Sequence, residues 1–229
     1  MNLGGLAAAQ AADEVEYDLT KMTWLGRLSL DPTIMSVRAD SNIQTIEDFM
    51  NLDSVKVSTQ GMTANSTITA AVTLDQMDKE WTAINHDGTS QAVLSVVRGD
   101  ADVIWGSMDS QMSFVRSRDT RVLMYYDGQR SPELPDVPLP SEVGLSVELN
   151  QGFNSHRVIG APPGMSAEVR AILEKAIRMA VDDPEFQAQL DRMEYSSQYV
   201  DGNTTAEIVR ASVVGFRDYS DVISSLLDE

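Results

Sequence analysis

Ten residues, "STQGMTANST" at 58–67, gather hydrogen-bonding groups without a single charge. Ser58, Thr59, Thr63, Ser66 and Thr67 bring hydroxyls, and Gln60 and Asn65 bring carboxamides. An apolar run with helical spacing follows. The first turn of such a helix offers unpaired N–H groups and the positive end of the helix dipole. Together these groups can hold a small carboxylate with no Lys or Arg. Gly61 permits a close backbone approach or a positive φ. The same residues also suit an ordinary capped turn between a strand and a helix.

Two further stretches carry related chemistry. In "NHDGTSQA" (85–92), Gly88, Thr89 and Ser90 precede a second helical run, either presenting N–H donors or, through Thr89 or Ser90, simply capping it. Asp87 there would repel an anion or accept from an amine or hydroxyl. "WGSMDS" (105–110) ends an apolar strand, where open α/β sheets bind ligands. Ser107 is its nearest polar group, and Trp105 reads as core. Enzyme motifs are absent: there is no Gly-x-Ser-x-Gly elbow, His-Glu-x-x-His pair or phosphate-binding loop. With two histidines, His86 and His156, and no cysteine, the sequence offers no transition-metal set, and no cofactor is expected.

The elements that must position these groups alternate in type. Strands are expected over 25–30 and 34–37, interrupted by Asp31-Pro32, and over 55–58, 81–85, 101–105, 121–126 and 157–161. Helices are expected over 45–51, 66–79 and 90–98, the last closed by Gly99. "RGD" at 98–100 reads as that cap and turn. The stretch 127–145 holds four of the eight prolines and reads as a surface excursion. Ser166 caps a helix with Val169, Ile172, Leu173, Ala176, Ile177 and Ala180 on one face, and a second helix spans 184–193. Thr204 to Glu207 opens one long C-terminal helix. The alternation predicts an α/β fold with a mainly parallel sheet.

Composition narrows the partners. The 229 residues suffice for one large or two modest domains, and 42% hydrophobic content fits a globular chain. The formal charge of -18 disfavours nucleic acid and anionic membranes. Only four of the 17 basic residues are lysines, a composition that suits either a halophile's salt-rich habitat or an ordinary soluble acidic protein. The start, "MNLGGLAAAQAADEVEYDL", lacks a basic n-region and reads as loop and helix rather than an export signal.

Several motifs, in order, resemble one family. "RSPELPDVPLPSEVGL" (130–145) is similar to its Arg-Ser-Pro, Leu-Pro-Asp-Val-Pro, Glu-x-Gly-Leu signature. "APPGMSAEVRAILEKAI" (161–177), "VRGDADVIWGSM" (97–108) and "STQGMTANSTI" (58–68) match its later helix, its cleft-side strand and its ligand loop. The chain thus resembles the substrate-binding receptors of tripartite tricarboxylate transporters, with the match running from about 23 to 223. The resemblance implies a two-lobed periplasmic-binding-protein-like clamp of type II. Lobe two would be 32–153, and an incomplete lobe one would combine 1–31 with 154–229. The family has further strand and helix units, with a first Gly-rich loop, that find no match here, which implies a fragment, a misassigned start or a truncated relative.

The resemblance also implies function: a periplasmic or extracytoplasmic receptor, monomeric, capturing a small di- or tricarboxylate by lobe closure and delivering it to integral membrane transporter subunits. A ligand-sensing or interaction module signalling to a partner is the rival. The implied ligand residues are Ser58, Thr59, Gln60, Gly61, Thr63, Asn65, Ser66, Thr67, Gly88, Thr89 and Ser107, with His156 near the second lobe crossing. Thr67 stands near a His of many relatives, and Gly106 replaces an Asp that follows the aromatic residue in many.

Overall fold

The computed structural model describes residues 1–12, 15–151, 154–192 and 197–227. Among them the strands are β1 (Thr23–Asp31), β2 (Thr33–Arg38), β3 (Ser54–Thr59), β4 (Glu80–Asn85), β5 (Val103–Ser107), β6 (Thr120–Tyr126), β7 (Ser155–Ala161) and β8 (Val200–Asp201). The helices are α1 (Leu3–Ala11), α2 (Ile46–Met50), α3 (Asn65–Gln76), α4 (Thr89–Arg98), α5 (Met108–Arg116), α6 (Glu148–Gln151), α7 (Ala167–Val181), α8 (Pro184–Arg192), α9 (Gly202–Arg217) and α10 (Ser220–Leu227). The chain divides into two compact units: Met1–Asp31 with Ser155–Asp218, and Pro32–Asn154 with Tyr219–Glu229.

The first unit is built on a three-stranded sheet in the order β7-β1-β8, antiparallel throughout. Parallel pairing was expected from the alternation of elements, but β1 and β7 pair across a large sequence separation without a βαβ crossover between them, which leaves them free to run antiparallel. Helices α1, α7 and α9 pack here, with α9 against both β1 and α1. Ser166 caps α7 as expected, its side chain accepting from the Val169 N–H at 3.3 Å. Of α7's apolar face, Val169 and Ile172 stay exposed, and only Val181 of the helix is buried. His156 lies on β7 opposite Leu30 and is buried.

The second unit holds a five-stranded sheet in the order β4-β3-β5-β2-β6. Strands β3, β4 and β5 are parallel, and β2 runs antiparallel to both β5 and β6. Four of the five strands therefore point the same way, and β2 alone is inverted. From β3 the chain moves one way to β4, then returns past β3 to β5. Right-handed crossovers put the two connecting helices, α3 and α4, on opposite faces. Strand alternation serves both faces: Ile104 packs with Ala92, Val93 and Val96 of α4, while its neighbour Trp105 packs edge-on against Phe49, with ring centroids 6.1 Å apart.

Three expectations are corrected. The proline-rich stretch is not a plain surface excursion: Leu134 and Leu139 are buried in a cluster with Ile34, Met108, Met112, Val122 and Tyr125. The C-terminal helix breaks at Asp218, and Asp201, not the Thr204 region, caps its first part. Tyr219 explains the break. Its hydroxyl accepts from Gln76 Nε2 at 2.7 Å and lies 2.9 Å from Ser146 Oγ, so α10 is held by the second unit beside α3.

A buried relay fixes α3 to the sheet. Trp105 Nε1 donates to the Tyr126 hydroxyl at 2.6 Å, and that hydroxyl lies 3.0 Å from Thr73 Oγ1. Thr73 Oγ1 donates to the Thr69 carbonyl at 2.7 Å, so the Tyr126 proton points to Thr73. Burial pushes the Tyr126 pKa up, which keeps it a donor. Tyr126→Phe strands the Trp105 and Thr73 groups and is expected to cost about 1–3 kcal/mol in urea unfolding. Thr73→Val, which leaves Trp105 and Tyr126 paired, should cost less; the reverse ranking would contradict this relay.

Candidate functional site

The C-terminal ends of β3, β4 and β5 share one edge of the five-stranded sheet, because the three strands are parallel. Their loops open α3, α4 and α5. The return of the chain past β3 makes the β3/β5 boundary a topological switch point, where loops diverge to opposite faces and leave a crevice.

The first loop is shaped by its own hydroxyls and by Gly61. Gly61 has φ +104°, a left-handed conformation that favours glycine. Its carbonyl accepts from the Ala64 N–H at 3.1 Å and from Thr67 Oγ1 at 2.8 Å. Ser58 is buried, and its Oγ donates to the Ala92 carbonyl at 2.8 Å. Thr59 is buried too; its hydroxyl donates to Asn85 Oδ1, and its carbonyl accepts from the His86 N–H at 3.0 Å. The Ser58, Thr59 and Thr67 hydroxyls are thus committed to holding loops together.

The helix starts differ from one another. Ala64 precedes α3 and Gly88 precedes α4, and neither start has a side-chain cap. Thr89 and Ser90 fall inside α4 and do not cap it; instead Thr89 Oγ1 donates to Gln60 Oε1 at 3.1 Å. Gly88, with φ -175°, is simply extended. By contrast α5 is capped by Ser107, whose Oγ accepts from the Ser110 N–H at 3.4 Å. The residues that precede α3 and α4 therefore offer no side-chain cap to the first turns of these helices at the sheet edge. Asn65 is buried at the start of α3, Ser66 is half-buried, and Thr63 is exposed.

The structure brings Gln60 and Thr89 together through a hydrogen bond, and places Gln60 beside β5 at Gly106. His156 belongs to the other unit. Two contributors escaped notice in the sequence. Asn85 receives the Thr59 hydroxyl, and Gln111 turns from α5 to donate from Nε2 to the Ile34 carbonyl at 3.3 Å. Gln111 sits between Met108 and Met112, on the face of α5 that is buried, which was the available signal. Asp87 is exposed, and Trp105 is core as expected. No group of three or more His, Asp or Glu suited to a metal occurs among the described residues, and none of their helices is long and apolar enough to cross a membrane.

Known proteins share this fold. A family model described as the tripartite tricarboxylate transporter family receptor matches residues 7–216. A curated Pseudomonas protein, "UPF0065 protein in tcbD-tcbE intergenic region", is 26% identical over 162 residues, 67% of this chain. The match spans 47% of that protein, about half its length. Among solved structures, a TctC solute-binding protein from Polaromonas superposes with TM-score 0.80 at 20% identity, covering 96% of this chain and 75% of that one. MatC from Rhodopseudomonas palustris, solved with bound malate, gives 0.76 at 19% identity, covering 96% and 77%. A further R. palustris protein, solved with adipate, gives 0.70 at 15% identity, covering 91% and 71%. These structures share the fold of periplasmic solute-binding proteins. The family match covers nearly the whole chain and includes the uncapped helix starts at the sheet edge, so this chain belongs to the tripartite tricarboxylate transporter receptor family, a family of solute receptors rather than enzymes.

Proposed function

We propose that this protein is an extracytoplasmic receptor for a small organic acid, a di- or tricarboxylate, which it captures by lobe closure and delivers to integral membrane transporter subunits. One observation carries the ligand class: α3 and α4 both open without a side-chain cap at the same sheet edge, amid neutral hydroxyl and amide groups. Such N-termini favour a carboxylate by dipole and by free N–H groups. The malate and adipate bound to two neighbours of the same fold support an acid ligand. Gln60, Gly61, Asn65, Ser66, Gly88 and Thr89 are the contacts proposed on this unit. Ser58, Thr59 and Thr67 shape the loops instead, and Ser107 serves α5.

A thermal-shift panel of di- and tricarboxylates on this chain tests the ligand class. A ligand at a hundred times its Kd should stabilise by about 2.7 kcal/mol. No shift with any acid would count against an acid receptor.

Ser66→Asp separates an anion site from a merely structural helix start. A carboxylate in the first turn of α3 should leave the free protein as stable or up to about 1 kcal/mol more stable. It should nevertheless abolish the acid-induced shift. An undiminished shift in this variant would place the acid elsewhere.

Charge sets the rate of capture. At -18, the protein repels anions over distances that salt screens. Stopped-flow association of the stabilising acid should therefore quicken as salt rises from about 10 mM to 150 mM; slower capture at higher salt would reveal a local positive field instead.

A further inference from the structure

Among the described residues, two that are not glycine take a positive φ: Asp78 at +51° and Arg118 at +64°. Aspartate visits that region readily, and arginine does not. Arg118 stands just past α5. Its N–H donates to the Val115 carbonyl at 3.1 Å, and the Asp119 N–H donates to the Phe114 carbonyl at 3.0 Å. Gly99 closes α4 in the same way, its N–H on the Val96 carbonyl at 3.0 Å and the Asp100 N–H on the Ser95 carbonyl at 2.9 Å. Glycine is the residue this closure favours, and the chain uses it after α4 but not after α5. The turn itself therefore gives no reason for an arginine at 118.

Arg118 and Arg121 both line an open groove of about 510 Å³. Its apolar lining is Val115 from α5, Val122 from β6, and Leu134 and Val137 from the proline-rich stretch. Both arginines are exposed. Arg121 donates to the Ala39 carbonyl at 3.4 Å, and neither arginine has a carboxylate partner among the described residues. The carboxylates nearby are engaged with other groups: Asp40 with Arg38 at 2.6 Å, Glu133 with Arg116 at 3.1 Å, and Asp119 with the Ser117 hydroxyl at 2.6 Å. In a chain of formal charge -18, the groove thus joins an excess of positive charge to an apolar floor. It lies where β6 begins and β2 ends, at the opposite end of the sheet from the starts of α3 and α4. A small-molecule site buries most of its ligand, which a groove this open does not do. A polypeptide extends past the groove and gains contact beyond it. We propose that this groove docks an acidic peptide segment of a partner protein. An apolar side chain of the segment seats among Val115, Val122, Leu134 and Val137, and carboxylates flanking it pair with Arg118 and Arg121. This docking does not rest on the organic-acid reading, whose residues lie at the other end of the sheet.

An array of random dodecapeptides probed with the full chain tests the groove. Peptides that combine Asp or Glu with a Leu, Phe or Trp should dominate the binders. Arg118→Gly should weaken the best of them by about tenfold or more in solution, the loss of a charge-assisted pair. The same substitution should raise the urea midpoint of the free protein, because glycine relieves the left-handed backbone. An arginine that served only the turn would show no such opposition between stability and binding. Arg121→Gln, at an exposed position, should weaken the same peptide and leave the midpoint unchanged. Binders without acidic residues, no binder at all, or acidic binders that Arg118→Gly leaves undiminished would overturn the proposal. So would a dimer in sedimentation velocity that both substitutions dissociate, since a second copy of the chain would then fill the groove.

Discussion

The candidate site depends on the handedness of two crossovers. Strand β3 is joined through α3 to β4 on one side, and β4 is joined through α4 to β5 on the other. Right-handed connections in opposite directions must place α3 and α4 on opposite faces of the sheet. Their N-termini then meet at one edge while their bodies diverge, which opens a crevice. The inverted strand β2 lies just beyond β5, and its first residues run alongside Ser107 and Gly106.

A helix start is useful only if it is held still. The relay from Trp105 through Tyr126 and Thr73 to Thr69 ties α3 to β5 and β6 from within the core. At its far end, Gln76 joins Ser146 and Tyr219, which clip the helix to the segment after the proline-rich stretch and to the C-terminal residues. The loop ahead of α3 is tied separately, by Thr67 to Gly61 and by Thr59 to Asn85. Several hydroxyls that looked like ligand donors are therefore spent on geometry. The division of labour is physical: a hydroxyl buried against a carbonyl cannot also turn to a solute, whereas an uncapped N–H can.

Much of the second unit was legible because its signals are local. Gly99 closes α4 in the left-handed conformation its position suggested, and in the first unit Ser166 caps the helix it precedes, as its position also suggested. The apolar runs of β3 through β6 matched strands to within a few residues. Less was legible where distant segments decide. The burial of Leu134 and Leu139 depends on Ile34, Met108 and Tyr125, with Ile34 far away in the chain, and proline content alone said "surface". The antiparallel β7-β1-β8 sheet joins segments separated by most of the chain. Gln111 carried no motif, and its place beside Gly106 appears only when β5 and α5 pack together.

By itself, the sequence determined the alternation of elements, the neutral donor-rich stretch at 58–67, the family and the sign of the charge. These rest on periodicity, on capping chemistry and on the order of short motifs, all properties of neighbouring residues. Only the tertiary structure decided which donors are spent and which are left. Ser58, Thr59 and Thr67 look identical in kind to Ser66, yet burial against a carbonyl or carboxamide fixes the first three to the scaffold. That distinction is made by contacts across the sheet, which no spacing along the chain encodes.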